Sequence, residues 1–183
     1  PTAVDLYELE RRAKGYGLEH FSCHVLHGDD SGAAIVAHMA SRPDALLVMG
    51  SSAKGPVAGQ LLGSVSEYVL GHIASSVLVV GPRTSSRRLT SPTLVVIAGE
   101  ADSADVAAQT IASWVATFGG HVVNATVASL EEVAGGVADP VYLAISARWA
   151  DPRFHLHSET RDLVRRTTTP VLVVPARVLH HTS

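Results

Sequence analysis

The sequence has few of the residues that define several classes of protein. Its single cysteine, Cys23, excludes an internal disulfide framework. No apolar run approaches the roughly 20 residues that a membrane-spanning helix needs, and residues 1–5 show neither the basic nor the apolar region of a signal peptide. A formal net charge of −3 gives no basic field for nucleic acid. These absences predict a cytoplasmic protein with no membrane or nucleic-acid partner.

Aromatic residues are also scarce, at 5% of the chain, whereas hydrophobic residues make up 46%. The core must therefore consist mainly of Val, Leu, Ile and Ala, which suits parallel strands that helices cover on both faces. In the first half, helices are predicted at residues 7–13, 33–39 and 64–72, and strands at residues 20–26, 45–49 and 76–80. The last two strands read as buried aliphatic runs. This alternation predicts an α/β fold with a doubly wound, open parallel sheet.

The second half repeats part of the first. Residues 154–176 resemble residues 61–82, and the two aliphatic runs that close these segments align without a gap. A repeated helix-to-strand unit predicts two copies of one fold, although chance similarity between Leu- and Val-rich segments is an alternative. We therefore divide the chain into a first domain at residues 1–82, a polar linker at 83–92 and a second domain at 93–183. Further helices are predicted at residues 104–118, 130–133 and 158–166, and further strands at residues 93–98, 121–127, 141–145 and 171–174.

The loop at residues 50–66 is the segment most suited to binding a ligand. It follows a predicted parallel strand and leads into a helix, and open α/β sheets bind ligands at this position. Free amides at the helix start and the hydroxyls of Ser64 and Ser66 suit a phosphate, while Gly63 permits close approach of the backbone. The loop is not a P-loop, because Pro56 occupies the lysine position. The alternative is a Gly- and Ser-rich connection with no ligand.

These residues resemble the universal stress protein family, whose loop has the pattern G-x2-G-x9-G-[ST] and usually continues as L-G-S-V-S-E before an aliphatic strand. Gly50, Gly63 and Ser64 match the pattern, and Ala53 replaces its second glycine. The resemblance covers residues 7–82 closely and the second half weakly. It implies a Rossmann-like, adenine nucleotide alpha hydrolase-like fold in two tandem copies.

The resemblance also implies a ligand, an adenine nucleotide that is most simply ATP with Mg²⁺, and a role in stress response or signalling. AMP and cyclic nucleotides remain open. In ATP-binding members, one set of matching residues lines the ribose and phosphate region: Met49, Gly50, Ser52 and Ala53. A second set wraps the phosphates: Gly63, Ser64, Val65 and Ser66. No catalytic residue and no metal-ligating set is predicted, so slow hydrolysis of ATP is the most activity we expect.

Two departures from the family pattern favour a different function. The first unit opens at what resembles the family's second helix, so we expect it to lack the opening β-α-β. In the second unit, Ala98 stands where the family has a nucleotide-contacting Asp, and His157 stands where the first copy has Gly63. The second unit is therefore predicted to be degenerate and without a nucleotide site. The alternative function is a scaffold, or a dimerisation or regulatory module, that binds no nucleotide.

The resemblance further implies how the two halves meet. Tandem members of the family pair their domains through the last strands. Residues 76–80 are therefore expected to lie antiparallel to residues 170–174, and a homo-oligomer is expected to form through these terminal strands.

Overall fold

The computed structural model of the chain describes residues 3–42, 44–50, 63–81, 84, 93–97, 104–125, 129, 132, 136, 140–146, 167 and 169–175. The helices are α1 (Ala3–Gly15), α2 (Ser31–Ala40), α3 (Ser64–His72) and α4 (Ala104–Phe118). The strands are β1 (Leu47–Gly50), β2 (Val77–Val80), β3 (Thr93–Ile97), β4 (His121–Ala125), β5 (Pro140–Ser146) and β6 (Val171–Pro175). The predicted bounds of α3 and α4 are confirmed.

All six strands form one sheet in the order β1-β2-β6-β5-β3-β4. Four neighbouring pairs are parallel, which confirms the predicted α/β class. The pair β2–β6 is antiparallel, with Leu78 opposite Leu172 and Val79 opposite Val171. This confirms the predicted meeting of the last strands and makes the sheet mixed at that position. Because β2 and β6 each have a second neighbour, neither offers a free edge for the predicted dimer through terminal strands.

The core lies on both faces of this sheet. Successive residues of a strand point to opposite faces, so Val77 and Val79 join one core cluster while Leu78 packs against the other. The first cluster consists of residues from α2, α3 and the sheet: Met39, Val69, Leu70, Ile73, Val77, Val79, Val95, Val171 and Val173. The second cluster surrounds Trp114 of α4 and consists of Leu94, Trp114, Val141, Leu172 and Val174. Helices on both faces make the sheet doubly wound, as predicted.

Helices α2 and α3 pack on each other through a glycine. A Cβ built on Gly32 would lie 2.8 Å from Cδ1 of Tyr68, so only a residue without a side chain fits there. The Tyr68 ring in turn stacks on His72, with 4.1 Å between the ring centroids. The contact fixes the middle of α3 against the start of α2.

Glycine also ends α1. Gly17 has a φ of +76°, the left-handed conformation that glycine adopts at little cost. The Leu18 amide donates to the Ala13 carbonyl at 3.1 Å, and the Gly17 amide donates to the Lys14 carbonyl at 2.9 Å. This pattern is a Schellman motif, which satisfies carbonyls that the helix end would leave unpaired.

The strand predicted at residues 20–26 is wrong. Residues 21–28 are neither helix nor strand, although exposure alternates along them, with Phe21, Cys23 and Val25 half-buried. The alternating pattern produces an extended chain, but a strand also needs a neighbour to complete a hydrogen-bonded ladder. Among the described strands, none pairs with this segment.

The prediction that residues 45–49 are buried is also wrong on one face. Val48 is 58% exposed and Leu46 is 38% exposed, whereas Leu47 and Met49 pack against the first core cluster. β1 is the last strand of the described sheet. An aliphatic run of this kind can be covered on one face only, and its letters do not distinguish the two cases.

Candidate functional site

The candidate site is where β1 ends and α3 begins. β1 ends at Gly50, α3 begins at Ser64 with Gly63 as its N-cap, and β2 follows α3 in parallel register with β1. In such a β-α-β unit the carboxyl end of the first strand and the amino end of the helix lie at the same edge of the sheet. The structure therefore brings together the two ends of the predicted loop.

A hydrogen bond joins these two ends directly. The Ser66 hydroxyl donates to the Gly50 carbonyl oxygen at 3.2 Å, across 16 residues of sequence. Ser66 is only 5% exposed, although it lies in the first turn of α3. The bond attaches the start of the helix to the end of the strand.

The first turn of α3 has amides that the helix itself does not use. The first intrahelical bond runs from the Glu67 amide to the Gly63 carbonyl at 2.9 Å. The N–H groups of residues 63–66 therefore precede the helical ladder and have no partner within it. Gly63 supplies no side-chain cap. These amides and the positive end of the helix dipole favour an anion at this position.

Gly63 suits an anion site because it has no side chain. Its φ of −62° and ψ of 151° describe extended backbone that any residue adopts. Backbone strain therefore does not require glycine at this position. A larger residue would place atoms next to the amides of the first turn, where a phosphate would have to approach.

The amino end of α2 is closed by contrast. The Asp30 carboxylate accepts a hydrogen bond from the Ala33 amide at 2.8 Å and so caps the helix. The side chain supplies both a negative charge and an acceptor for the free amides. Helix α2 thus has a carboxylate at its N-cap, whereas α3 has a glycine there and its nearest carboxylate, Glu67, is four residues further along.

Six of the eight residues predicted to bind the nucleotide are described. Ser64 and Val65 are exposed, Gly50 is exposed at the strand end, and Gly63 is half-buried. Of the remaining two described residues, Met49 packs against the core and Ser66 is buried. Ser52 and Ala53 lie outside the described residues, as do Ala98 and His157 of the second half.

Two features of this region were not evident from the sequence. The Ser66 hydroxyl, which was predicted to suit a phosphate, donates to the Gly50 carbonyl in this structure. Val65 is 37% exposed, whereas Val69 and Ile73, which follow it at a spacing of four residues, are buried. The spacing of four residues could not reveal either fact, because Val65 and Ser66 lie in the first turn, where the neighbouring strand end decides what is covered.

Two other features are absent from the described ranges: a metal-binding cluster and a membrane-spanning helix. No group of three or more His, Cys, Asp or Glu side chains there could hold a metal ion. No helix in that part of the chain has the length and apolar character needed to cross a bilayer.

Known proteins are similar to this chain in fold and, over part of its length, in sequence. Solved structures with a similar fold include a protein of unknown function from Pseudomonas aeruginosa, with a TM-score of 0.62 and 12% identity. That match covers 95% of this chain and 78% of the other. A universal stress protein from Archaeoglobus fulgidus has a TM-score of 0.57 and 16% identity, with 97% of this chain and 84% of the other covered. No curated protein sequence matches the chain. The model of the universal stress protein family matches residues 2–81, which include α1–α3, β1 and β2, so this region is similar to that family.

Proposed function

We propose that the chain binds an adenine nucleotide, ATP with Mg²⁺, between the carboxyl end of β1 and the amino end of α3, and that it acts in stress response or signalling. The family match over residues 2–81 supports a role of this class. The likeness to solved structures supports the fold alone.

One observation carries the proposal: α3 begins at the carboxyl edge of a parallel strand with a glycine that supplies no side-chain cap. The amides of residues 63–66 have no partner within the helix and lie at the end where a negative charge is stabilised. A phosphate group supplies that charge together with several acceptor oxygens. The exposed hydroxyl of Ser64, at the first helical position, would add a further donor.

The remaining contacts of the nucleotide are proposed from the family resemblance. Met49 and Gly50 lie at the end of β1, where a ribose next to the phosphates would be within reach of the backbone. Ser52 and Ala53 are assigned to the same region by the resemblance alone. The accompanying Mg²⁺ would be held mainly by phosphate oxygens and water, as is usual for this ion.

The experiment compares two serines that begin helices. Ser64 and Ser31 are both exposed and both occupy the first position of their helix, but Ser31 follows the carboxylate cap of Asp30. We expect ATP with Mg²⁺ at 100 times its Kd to stabilise the protein by about 2.7 kcal/mol, measured as a rise in melting temperature. S64A should weaken ATP binding by about tenfold or more, because one hydrogen bond to a charged group is lost, and S31A should not change it.

The ligand controls separate the parts of the nucleotide. Mg²⁺ alone should not change the melting temperature, and inorganic triphosphate should raise it less than ATP if the adenosine contributes. GTP tests whether the base is distinguished. An unchanged melting temperature with millimolar ATP, or an equal loss of affinity in S64A and S31A, would contradict the proposed nucleotide site.

A second candidate function is a scaffold or regulatory module that binds no nucleotide. The observation that favours it is the β2–β6 pair, which joins the two halves of the chain into one sheet through backbone hydrogen bonds. We propose that these halves are tandem copies of one fold, because β1–β2 and β5–β6 are both parallel pairs that end at this junction. A melting temperature that nucleotide leaves unchanged would select this function.

A further inference from the structure

The Ser66 hydroxyl points out of its helix, toward the carboxyl end of β1. A serine within a helix usually bonds to a carbonyl of the preceding turn or is solvated. Ser66 does neither: its hydroxyl leaves the helix and donates to the Gly50 carbonyl at 3.2 Å. The side chain is 5% exposed, so the bond is shielded from water on the serine side. A buried serine in this geometry has a fixed partner in the protein.

We infer that Ser66 is a positioning residue for the proposed nucleotide site and not a ligand of the phosphate. This inference rests on the proposed function. The resemblance to the family assigned Ser64 and Ser66 the same role, whereas the structure separates them. Ser64 is exposed at the helix start, and Ser66 fixes that start to the end of β1.

The hydrogen count of the hydroxyl supports this division. A serine hydroxyl has one hydrogen to donate, and that hydrogen is directed at the Gly50 carbonyl. Ionised phosphate oxygens accept hydrogen bonds and do not donate them. Ser66 could therefore reach a phosphate only by giving up its bond to Gly50, which would release the helix start from the strand end.

The position of the bond explains what Ser66 would control. The amides of residues 63–65 lie between Ser66 and the connection to β1, on the part of the helix that the bond holds. A shift of this turn away from Gly50 would move all of these amides together. Sites of this kind lose affinity when their supporting contacts leave the donors loose.

The test uses three variants of the full chain: S66A, S66T and S64A. Two quantities are measured: the Kd for ATP with Mg²⁺, and the hydrogen exchange rates of the Glu67 and Tyr68 amides without nucleotide. S66A should weaken ATP binding by about fivefold and accelerate exchange at these two amides by about fivefold. Exchange in α4 should be unchanged, since α4 lies on the other face of the sheet. S66T keeps the hydroxyl and should restore both quantities at least in part.

S64A provides the contrast that a purely structural role would not give. It should weaken ATP binding while leaving exchange at Glu67 and Tyr68 unchanged, because the Ser64 side chain is exposed. Normal affinity and normal exchange in S66A would overturn the inference, and so would faster exchange in S64A. Equal acceleration throughout α4 would also overturn it, because it would reduce Ser66 to a general contributor to stability.

The outcome for the wild-type protein separates this inference from the proposed function. If the wild-type protein binds no ATP but S66A still accelerates exchange only at the start of α3, the proposed function fails and Ser66 is shown to hold the turn without a nucleotide to serve. If the wild-type protein binds ATP and S66A binds it equally well, the function stands and the role of Ser66 is refuted.

Discussion

Helices α2 and α3 pack against each other, yet they begin in opposite ways. At the start of α2, the Asp30 carboxylate accepts a hydrogen bond from the Ala33 amide at 2.8 Å. At the start of α3, Gly63 offers no side chain, and the first bond of the helix is the one from the Glu67 amide to Gly63. The residue before α2 accepts a hydrogen bond from a first-turn amide of its helix, whereas the residue before α3 has no side chain that could do so.

The two helix starts differ in how much they contribute to the stability of the fold. A carboxylate cap such as Asp30 contributes about 1 kcal/mol. Glycine in place of such a cap, as at Gly63, costs only about a few tenths of a kcal/mol. The Ser66–Gly50 bond fixes the helix start from the side and does not use the first-turn amides. An open helix start that is nevertheless firmly held is what a bound phosphate requires.

The largest expected effect comes from giving α3 the same cap as α2. In G63D the new carboxylate would accept hydrogen bonds from the first-turn amides and repel phosphate. We expect ATP binding to weaken by about a hundredfold, measured by calorimetric titration, while the melting temperature of the free protein stays level or rises. G63A, which adds bulk without charge, should lose less. Full ATP affinity in G63D would show that these amides do not contact the nucleotide.

A smaller effect is expected where the two helices touch. In G32A the added Cβ would lie 2.8 Å from Cδ1 of Tyr68, so the ring must move. Overpacking of this kind costs about 1–3 kcal/mol, partly offset by the better helix propensity of alanine. We expect a net loss of about 1–2 kcal/mol in urea denaturation. The control is G15A, because nothing lies within 4 Å of the Cβ it would add. Equal stability of the two variants would contradict the packing seen here.

Removing the cap of α2 should have a still smaller effect. D30A leaves the Ala33 amide without its acceptor and should lower the free energy of unfolding by about 1 kcal/mol in urea denaturation. D29A, a change to an exposed neighbour that caps nothing in the described structure, should be close to neutral. D30A should not gain affinity for ATP, because α2 does not follow a strand of this sheet. A gain of nucleotide binding at α2 would mean that any uncapped helix suffices.

The smallest effect is expected from the ion pairs on α1. Hydrogen bonds from Arg11 and then Arg12 lower the pKa of Glu8 to about 2 from 4.5. Their contribution to stability is therefore present above pH 4.5 and is lost as the pH falls toward 2. Because Glu8 and both arginines are solvent-accessible, screening weakens the pairs. E8Q should leave the melting temperature at pH 7 unresolved from that of the wild-type protein, and a clear drop would show that α1 depends on these pairs.

Much of the fold could be predicted because its signals are local. Asp30 caps the start of α2 and two glycines with positive φ follow α4, and residues of these types are local markers of helix ends. Periodicity could not decide whether a neighbour was present to complete a strand at residues 20–26, or whether one face of β1 was covered. Those outcomes depend on contacts with distant parts of the chain, which a short pattern does not contain.

The candidate site was predictable to a similar extent. The loop ends and the helix start could be located because a glycine, a serine and a strand end follow one another in the expected order. The hydrogen bond of Ser66 could not be predicted, since its partner Gly50 is 16 residues away and only the folded crossover brings them together. The residue types in the loop indicate what could bind there, and the packing decides which of them are free to do so.

The antiparallel pair β2–β6 has a consequence for how the molecule unfolds. Val77 and Val79 of the first half share a core cluster with Val171 and Val173 of the second, while Leu78 packs against the cluster on the opposite face. Losing either half would uncover apolar surface of the other, so both should melt in a single cooperative transition. A nucleotide held at one end of the sheet would then protect the entire chain from denaturation.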